Sequence, residues 1–547
     1  MKAKILTALF CLSGVLNMYA QDSLWVRYDN RFKANKFLMD ISEFDSIEFR
    51  ARGTMPVIRR YSTSFDNGYA DYRLSGMTGT DGAALIIGDP GRILWKPRTS
   101  DNSYNNDYAD PNAKWSFKHS KESEHFVVFW DSRFGDDPNA STVPANMRVN
   151  IDDLLLKAEK FYTTNVEELG MVVTGDNKSQ LDTYKMMIYL LYQTEWLATG
   201  SGYDNTVGAL WVNPSTCQPV GSTIAHEIGH SFQYQTYCDN IYRGKANDSR
   251  SGFRYGYPNS NGGCGFWEQC AQWQAHQDYP SEAINSYHFD VWMSNYHRHF
   301  EHEWMRYASY WLQYYWTEKN GLSALGRIWN ESYYPEDASQ AYMRLFCGND
   351  YDEFLKQYFE YAQKTTTFDF NHIRSYVMGK FSNYKTSLIN LSDGWKQVAY
   401  ASCPQPTGFN VIPLTLPEVG TEVKVTIKPL AAGSALATGD AGKQVDGDGN
   451  KVGTVTAYNN TAVAGHEQLA YGFVGIKWDN TRVYGDMNLA TPSADGTATF
   501  TVPENLRYLW VVVQGAPTKY FQCPWDEKEA TDHQLPYQIK VEGTSMK

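Results

Sequence analysis

The sequence predicts an α+β protein of several domains, and three observations carry that prediction. Residues 21–115 are cut by Gly, Asp and Asn into short β-like pieces, which makes this a β-rich N-terminal region. Residues 116–390 alternate strand-like and helix-like patterns and then become helical, as one mixed domain would. Residues 391–547 return to alternating strands separated by turns, the pattern of a C-terminal β-sandwich. A chain of 547 residues has room for roughly two to four such domains.

In chain order, residues 1–20 come first. Lys2 and Lys4, the apolar run Ile5 to Leu16 and the small residue Ala20 form an export signal, so a mature chain cut after Ala20 is expected to be secreted or periplasmic. Cys11 follows the bulky Phe10, which disfavours a lipid anchor. Asp45-Ser46-Ile47-Glu48-Phe49 and Ala84-Leu85-Ile86-Ile87 are the clearest β pieces of the next region, and Asn102 to Asn112 is a polar loop. His125 to Trp130 is a strand, followed by a helix from Asp152 in which Leu155, Ala158, Phe161, Tyr162, Val166 and Leu169 share one face before a stop at Gly170. Tyr184 to Tyr192 is bulky and apolar, a strand or a short helix; Gly208 to Val212 is a further strand. A helix then starts near Ser222 or Thr223. Residues 238–265, rich in Gly, Asn, Ser and Tyr, suit a cleft wall, and helical patterns run from Gly265 to about Lys364. Glu422 to Lys428, Thr497 to Val502, Leu509 to Val513 and Tyr537 to Val541 are the strands of the last part.

The helix after Ser222 carries Ala225-His226-Glu227-Ile228-Gly229-His230. Histidines four residues apart lie on one helix face, so both rings can reach one ion while Glu227 stands beside it. Imidazole suits Zn²⁺, and a neighbouring carboxylate can take a proton from the water such an ion holds. A catalytic zinc needs a third protein ligand. Gln233 and Thr236 occupy the places where one common continuation puts Gly and a third His, which excludes the metzincin pattern. Trp267-Glu268-Gln269-Cys270-Ala271-Gln272-Trp273 offers a Glu on a second helix, with Asp278, Glu282 and His276 as rivals. Gly229 inside the motif helix suggests a close neighbour.

With these residues the chain resembles the gluzincin metallopeptidases, and the order strand, helix, strand, strand, motif helix resembles the first half of a zincin-like catalytic domain. The resemblance implies His226, His230 and Glu268 as zinc ligands and Glu227 as general base. It also implies an edge strand that binds extended substrate, and a Tyr or His from a later helix that stabilises the oxyanion. Tyr307 is the choice for that role, ahead of His297, His299, His302 and Tyr310, because His302 to Leu325 resembles the helix that follows the zinc helices. Gln272 stands where gluzincins often place an acidic partner for a ligand histidine. Over about residues 115–545 the chain also looks like a family of exported Bacteroidota proteins of uncharacterised function with a gluzincin core and a β-sandwich near the end.

Composition narrows the partners. The net charge of −12 becomes more negative once Lys2 and Lys4 are removed, which argues against nucleic acid, and no run approaches the length of a membrane span. An aromatic share of 15% suits glycan or peptide handling as well as large aromatic cores. Of eight cysteines, Cys11 falls in the export signal and leaves an odd number; Cys403 with Cys523, and Cys217 with Cys238, are the candidate pairs. The expected function is a secreted zinc endopeptidase acting on proteins or glycoproteins. The alternative is a glycan-binding or adhesion protein in which the aromatic-rich sandwich does the binding.

Overall fold

A computed structural model describes residues 113–245, 265–333, 335–377, 379–434, 436–437, 463–523 and 532–547. It also describes Arg92, Leu94, Trp95, Pro97 and Tyr108, and the strand spans 23–29, 34–40, 46–52, 55–61, 69–73, 83–86, 443–445 and 451–454. The expected export signal and most of the expected cleft wall lie outside these residues. The chain is α+β and divides into two compact units, residues 1–163 with 173–242, and residues 164–172 with 243–547. The division at Tyr242 lies inside the stretch expected to be one mixed domain, and the helices after it group with the C-terminal sheets.

The first unit begins with two three-stranded antiparallel sheets, one ordered Ala34–Asp40, Ser23–Asp29, Ala83–Ile86 and the other Ser46–Arg52, Met55–Tyr61, Tyr69–Arg73. Its main sheet contains β1 (Ser120–Glu122), β2 (Phe126–Trp130), β3 (Met186–Leu190), β4 (Ala198–Tyr203) and β5 (Val207–Val212), in the order β4-β5-β3-β2-β1. The central strands β2, β3 and β5 are parallel and both edges are antiparallel. Every residue of β2 and β3 is buried, which is why FVVFW and MMIYL read as unbroken apolar runs rather than alternating ones. Helix α1 (Ile151–Thr163) buries Ile151, Leu154, Leu155, Ala158, Phe161 and Tyr162 on one face. It continues as a wider turn to Glu168 and stops where Gly170 takes φ +59°.

Helix α2 (Ser222–Tyr242) carries the histidine motif and is buried along almost its whole length. Strands β4 and β5 press on it so closely that side chains are excluded. A Cβ on Gly200 would come within 2.1 Å of the Glu227 carbonyl oxygen, and one on Gly202 within 2.3 Å of the Tyr234 ring. On Gly208 it would come within 2.7 Å of the Ser231 carbonyl oxygen. Sequence patterns miss β4 for this same reason: in ATGSGY the inner-face positions are Gly200 and Gly202, where there is no room for the branched and aromatic residues that mark a strand.

The second unit holds helix α3 (Gly265–Asp278) and the helices Glu282–Asn285, Tyr287–Asn295, Trp311–Asn320, Ala324–Glu331, Ala338–Phe346 and Tyr351–Thr366. Trp273, Trp292, Trp311, Trp316 and Trp329 are all fully buried among them, so much of the aromatic content is core. Two antiparallel sheets follow. One runs Leu388–Asn390, Lys396–Val398, Tyr537–Glu542, Glu422–Pro429, Gly496–Thr501; the other runs Phe409–Pro413, Leu506–Gly515, Leu469–Lys477, Arg482–Tyr484. Val425, Ile427 and Ile539 from the first join Ile412, Phe473, Val511 and Val513 from the second in one buried cluster.

Neither expected cysteine pair is a disulfide. Cys217, Cys238, Cys403 and Cys523 are buried thiols, and burial pushes the Cys403 and Cys523 thiols well above their usual range. No helix among the described residues is long and apolar enough to cross a membrane.

Candidate metal site

His226 and His230 sit one turn apart on α2, 8% and 5% exposed, with ring centroids 4.5 Å apart and planes nearly perpendicular. Glu227 between them is 6% exposed. Its backbone oxygen is the atom against which Gly200 packs and also accepts from the Ser231 hydroxyl at 3.0 Å, so strand and side chain both fix this turn. Within α2, the His230 Nδ1 lies 2.9 Å from Gln233 Oε1. An amide oxygen only accepts, so Nδ1 carries the proton and Nε2 presents a lone pair.

Glu268 stands in the first turn of α3, where a carboxylate is favoured by the exposed backbone N–H groups of the helix start. The Tyr307 hydroxyl donates to its Oε1 at 3.0 Å, and the Tyr307 ring lies against His288 with centroids 5.5 Å apart. His226, His230 and Glu268 each offer one ligand atom, and these atoms all lie within 4.8 Å of one another. Ligands bonded to zinc at about 2.1 Å in a tetrahedron stand roughly 3.4 Å apart, so small side-chain rotations close this set on an ion. Two imidazoles and one carboxylate form a donor set that zinc accepts.

The rivals for the third ligand position are engaged elsewhere. Asp278 accepts from the Thr164 hydroxyl at 3.1 Å, His276 meets the Tyr310 ring edge-on at 4.6 Å, and Glu282 begins the short helix Glu282–Asn285. Of the oxyanion candidates, Tyr310 donates to the Ala283 carbonyl at 2.6 Å. His299 accepts at Nδ1 from the Glu301 N–H, and burial pushes its pKa down to about 3. Burial also lowers His297, and His302 is held by Asp532. Tyr307 alone among them touches a member of the ligand set in the described contacts.

One expectation needs correction. Tyr307 is not on a helix: His302 caps the short turn Glu303–Met305 through Nδ1, and the chain bends through Tyr307 before helix Trp311–Asn320 begins. Sequence patterns also pass over a partner: Gln233 bonds to His230, and its position three after His230 on one helix face is the signal that marks it.

Beyond β4 no described strand pairs. Asn213 N–H donates to the Leu197 carbonyl, so backbone groups alternate from there: those of Thr199 and Ser201 face β5, and those of Ala198, Gly200 and Gly202 face the open edge.

Comparison with protein-family models matches residues 93–547 to the Family of unknown function (DUF6055), which covers well over half of the chain. No curated protein and no solved structure matches.

Proposed function

We propose that this chain, which belongs to the DUF6055 family of unknown function, is an exported zinc-dependent endopeptidase of gluzincin type. Its targets would be proteins or glycoproteins. The observation that carries the proposal is the convergence of His226, His230 and Glu268, two residues from one helix and one from another, with Glu227 fixed in the same turn as the histidines. In this reading β1 to β5 with α1 and α2 form the zincin-like half that carries the motif, the two C-terminal sheets form a sandwich, and export follows from the pattern of residues 1–20.

His226 and His230 would hold the ion with Glu268. Zinc bound there acidifies its water and polarises a carbonyl group. Glu227 would take the proton from the bound water and return it to the leaving amine. The backbone groups of Ala198, Gly200 and Gly202 are available to pair with an extended polypeptide beside that turn. Tyr307, whose hydroxyl donates to Glu268 Oε1, would serve the oxygen that becomes negative only by releasing that contact.

The test is Glu227→Gln. Zinc content near one ion per chain should persist while peptide hydrolysis drops by about 10²–10⁴-fold. Undiminished hydrolysis would remove Glu227 from the mechanism, and wild-type protein that takes up no zinc would turn the assignment towards a glycan-binding protein.

A further inference from the structure

We infer that the ligand set is aimed by two uncharged partners, Gln233 for His230 and Tyr307 for Glu268, and that Gln233 is a positioning residue of the metal site. This rests on the zinc reading above. The contacts are direct: the Gln233 amide oxygen is 2.9 Å from His230 Nδ1, and the Tyr307 hydroxyl is 3.0 Å from Glu268 Oε1. Gln233 is 1% exposed, so water does not compete for its amide. Because the partner atom can only accept, the imidazole is locked as the Nδ1–H tautomer and Nε2 is left for the ion. The second contact acts in the same sense. A proton donated to Oε1 engages one lone pair of that oxygen and fixes the orientation of the carboxylate.

The chemical consequence lies in the absence of charge in both partners. A carboxylate against an imidazole N–H makes that ring a stronger base and a tighter ligand. An amide orients without adding electron density. The chain therefore trades some metal affinity for a more strongly polarising ion, and the trade is set by one side chain.

Zinc affinity, measured on the full chain by competition with a chromophoric chelator, separates the possibilities. Gln233→Leu should weaken zinc by about 10–100-fold and alter the visible absorption of the Co²⁺-substituted protein, with the metal-free circular dichroism unchanged. Gln233→Glu should bind zinc more tightly than wild type, and it keeps the inference testable if the Leu variant does not fold. Equal zinc affinity in wild type and Gln233→Glu, or an unchanged Co²⁺ spectrum in Gln233→Leu, would overturn it. Tyr307→Phe should weaken zinc by up to about 10-fold; a loss confined to kcat would assign Tyr307 to the substrate oxygen and overturn its half of the inference. If the wild type itself holds no zinc, it is the underlying function that fails.

Discussion

His302 and Asp532 are buried to 1% exposure, and His226 and His230 are buried to 8% and 5%, so the same residue types are hidden from water in two regions. What surrounds them differs. At the first, His302 Nε2 lies 2.9 Å from Asp532 Oδ2, which also accepts from Gln405 Nε2 at 3.0 Å. Arg298 Nη1 stands 3.8 Å from the same oxygen, and the guanidinium lies 4.1 Å over the Trp304 ring. The positive charge that offsets Asp532 is thus part of the chain. The set of His226, His230 and Glu268 offers three ligand atoms within 4.8 Å of one another. A buried cluster that includes its own counter-charge holds the fold, whereas in the proposed reading the second set takes its positive charge from a bound ion.

The largest effect expected from breaking that contrast is on metal binding. Glu268→Ala should weaken zinc by more than the roughly 10–100-fold typical of outer partners, because a donor atom is removed. The metal-free melting temperature should hardly change, since Glu268 is only half-buried. Zinc titration beside a thermal melt checks both; unchanged affinity would exclude Glu268 from the ligands.

Arg298→Met should do the opposite, leaving zinc binding intact while destabilising the fold by about 3–5 kcal/mol, because Asp532 is left buried without that cation. Replacing both residues, Arg298→Met with Asp532→Leu, should recover much of that loss. Denaturant melts of the single and double variants decide it, and a single variant as stable as wild type would show that the pair is not what holds residues 298–304 against residue 532.

The two regions also differ in how far the sequence revealed them. His226, Glu227 and His230 are legible because their spacing is local and matches the helix period. Glu268 is legible because Trp267, Ala271 and Trp273 give it a helix. Strand β4 is not, since its glycines answer to the shape of α2 rather than to strand preference. Nor is the Arg298, His302, Gln405 and Asp532 cluster, in which His302 and Asp532 are 230 residues apart and no periodic pattern links the members. The cysteines failed for a related reason: pairing depends on side chains meeting in space, and these four are buried as thiols.

Asp337 supplies a third arrangement, an acid with neither an internal cation nor a metal. It is 4% exposed, accepts from the Tyr520 hydroxyl at 2.6 Å, and caps helix Ala338–Phe346 through the Gln340 N–H at 2.8 Å. Neutral donors do not offset its burial, which raises its pKa from 3.8 to about 7. Below about pH 4 the carboxyl is protonated folded or unfolded; between about 4 and 7 the folded state holds the proton more tightly, and so unfolding releases it. The stability Asp337 contributes is therefore greatest at low pH and is lost as pH rises through about 7, by at most about 4 kcal/mol at 1.36 kcal/mol per pKa unit. Asn in its place keeps an oxygen for the Gln340 N–H but cannot ionise. Denaturant melts of metal-free protein at intervals from pH 5 to pH 8 should therefore fall more steeply for wild type than for Asp337→Asn. Identical slopes would mean that the Tyr520 and Gln340 contacts offset the burial fully, which would place Asp337 with Asp532 among the satisfied acids.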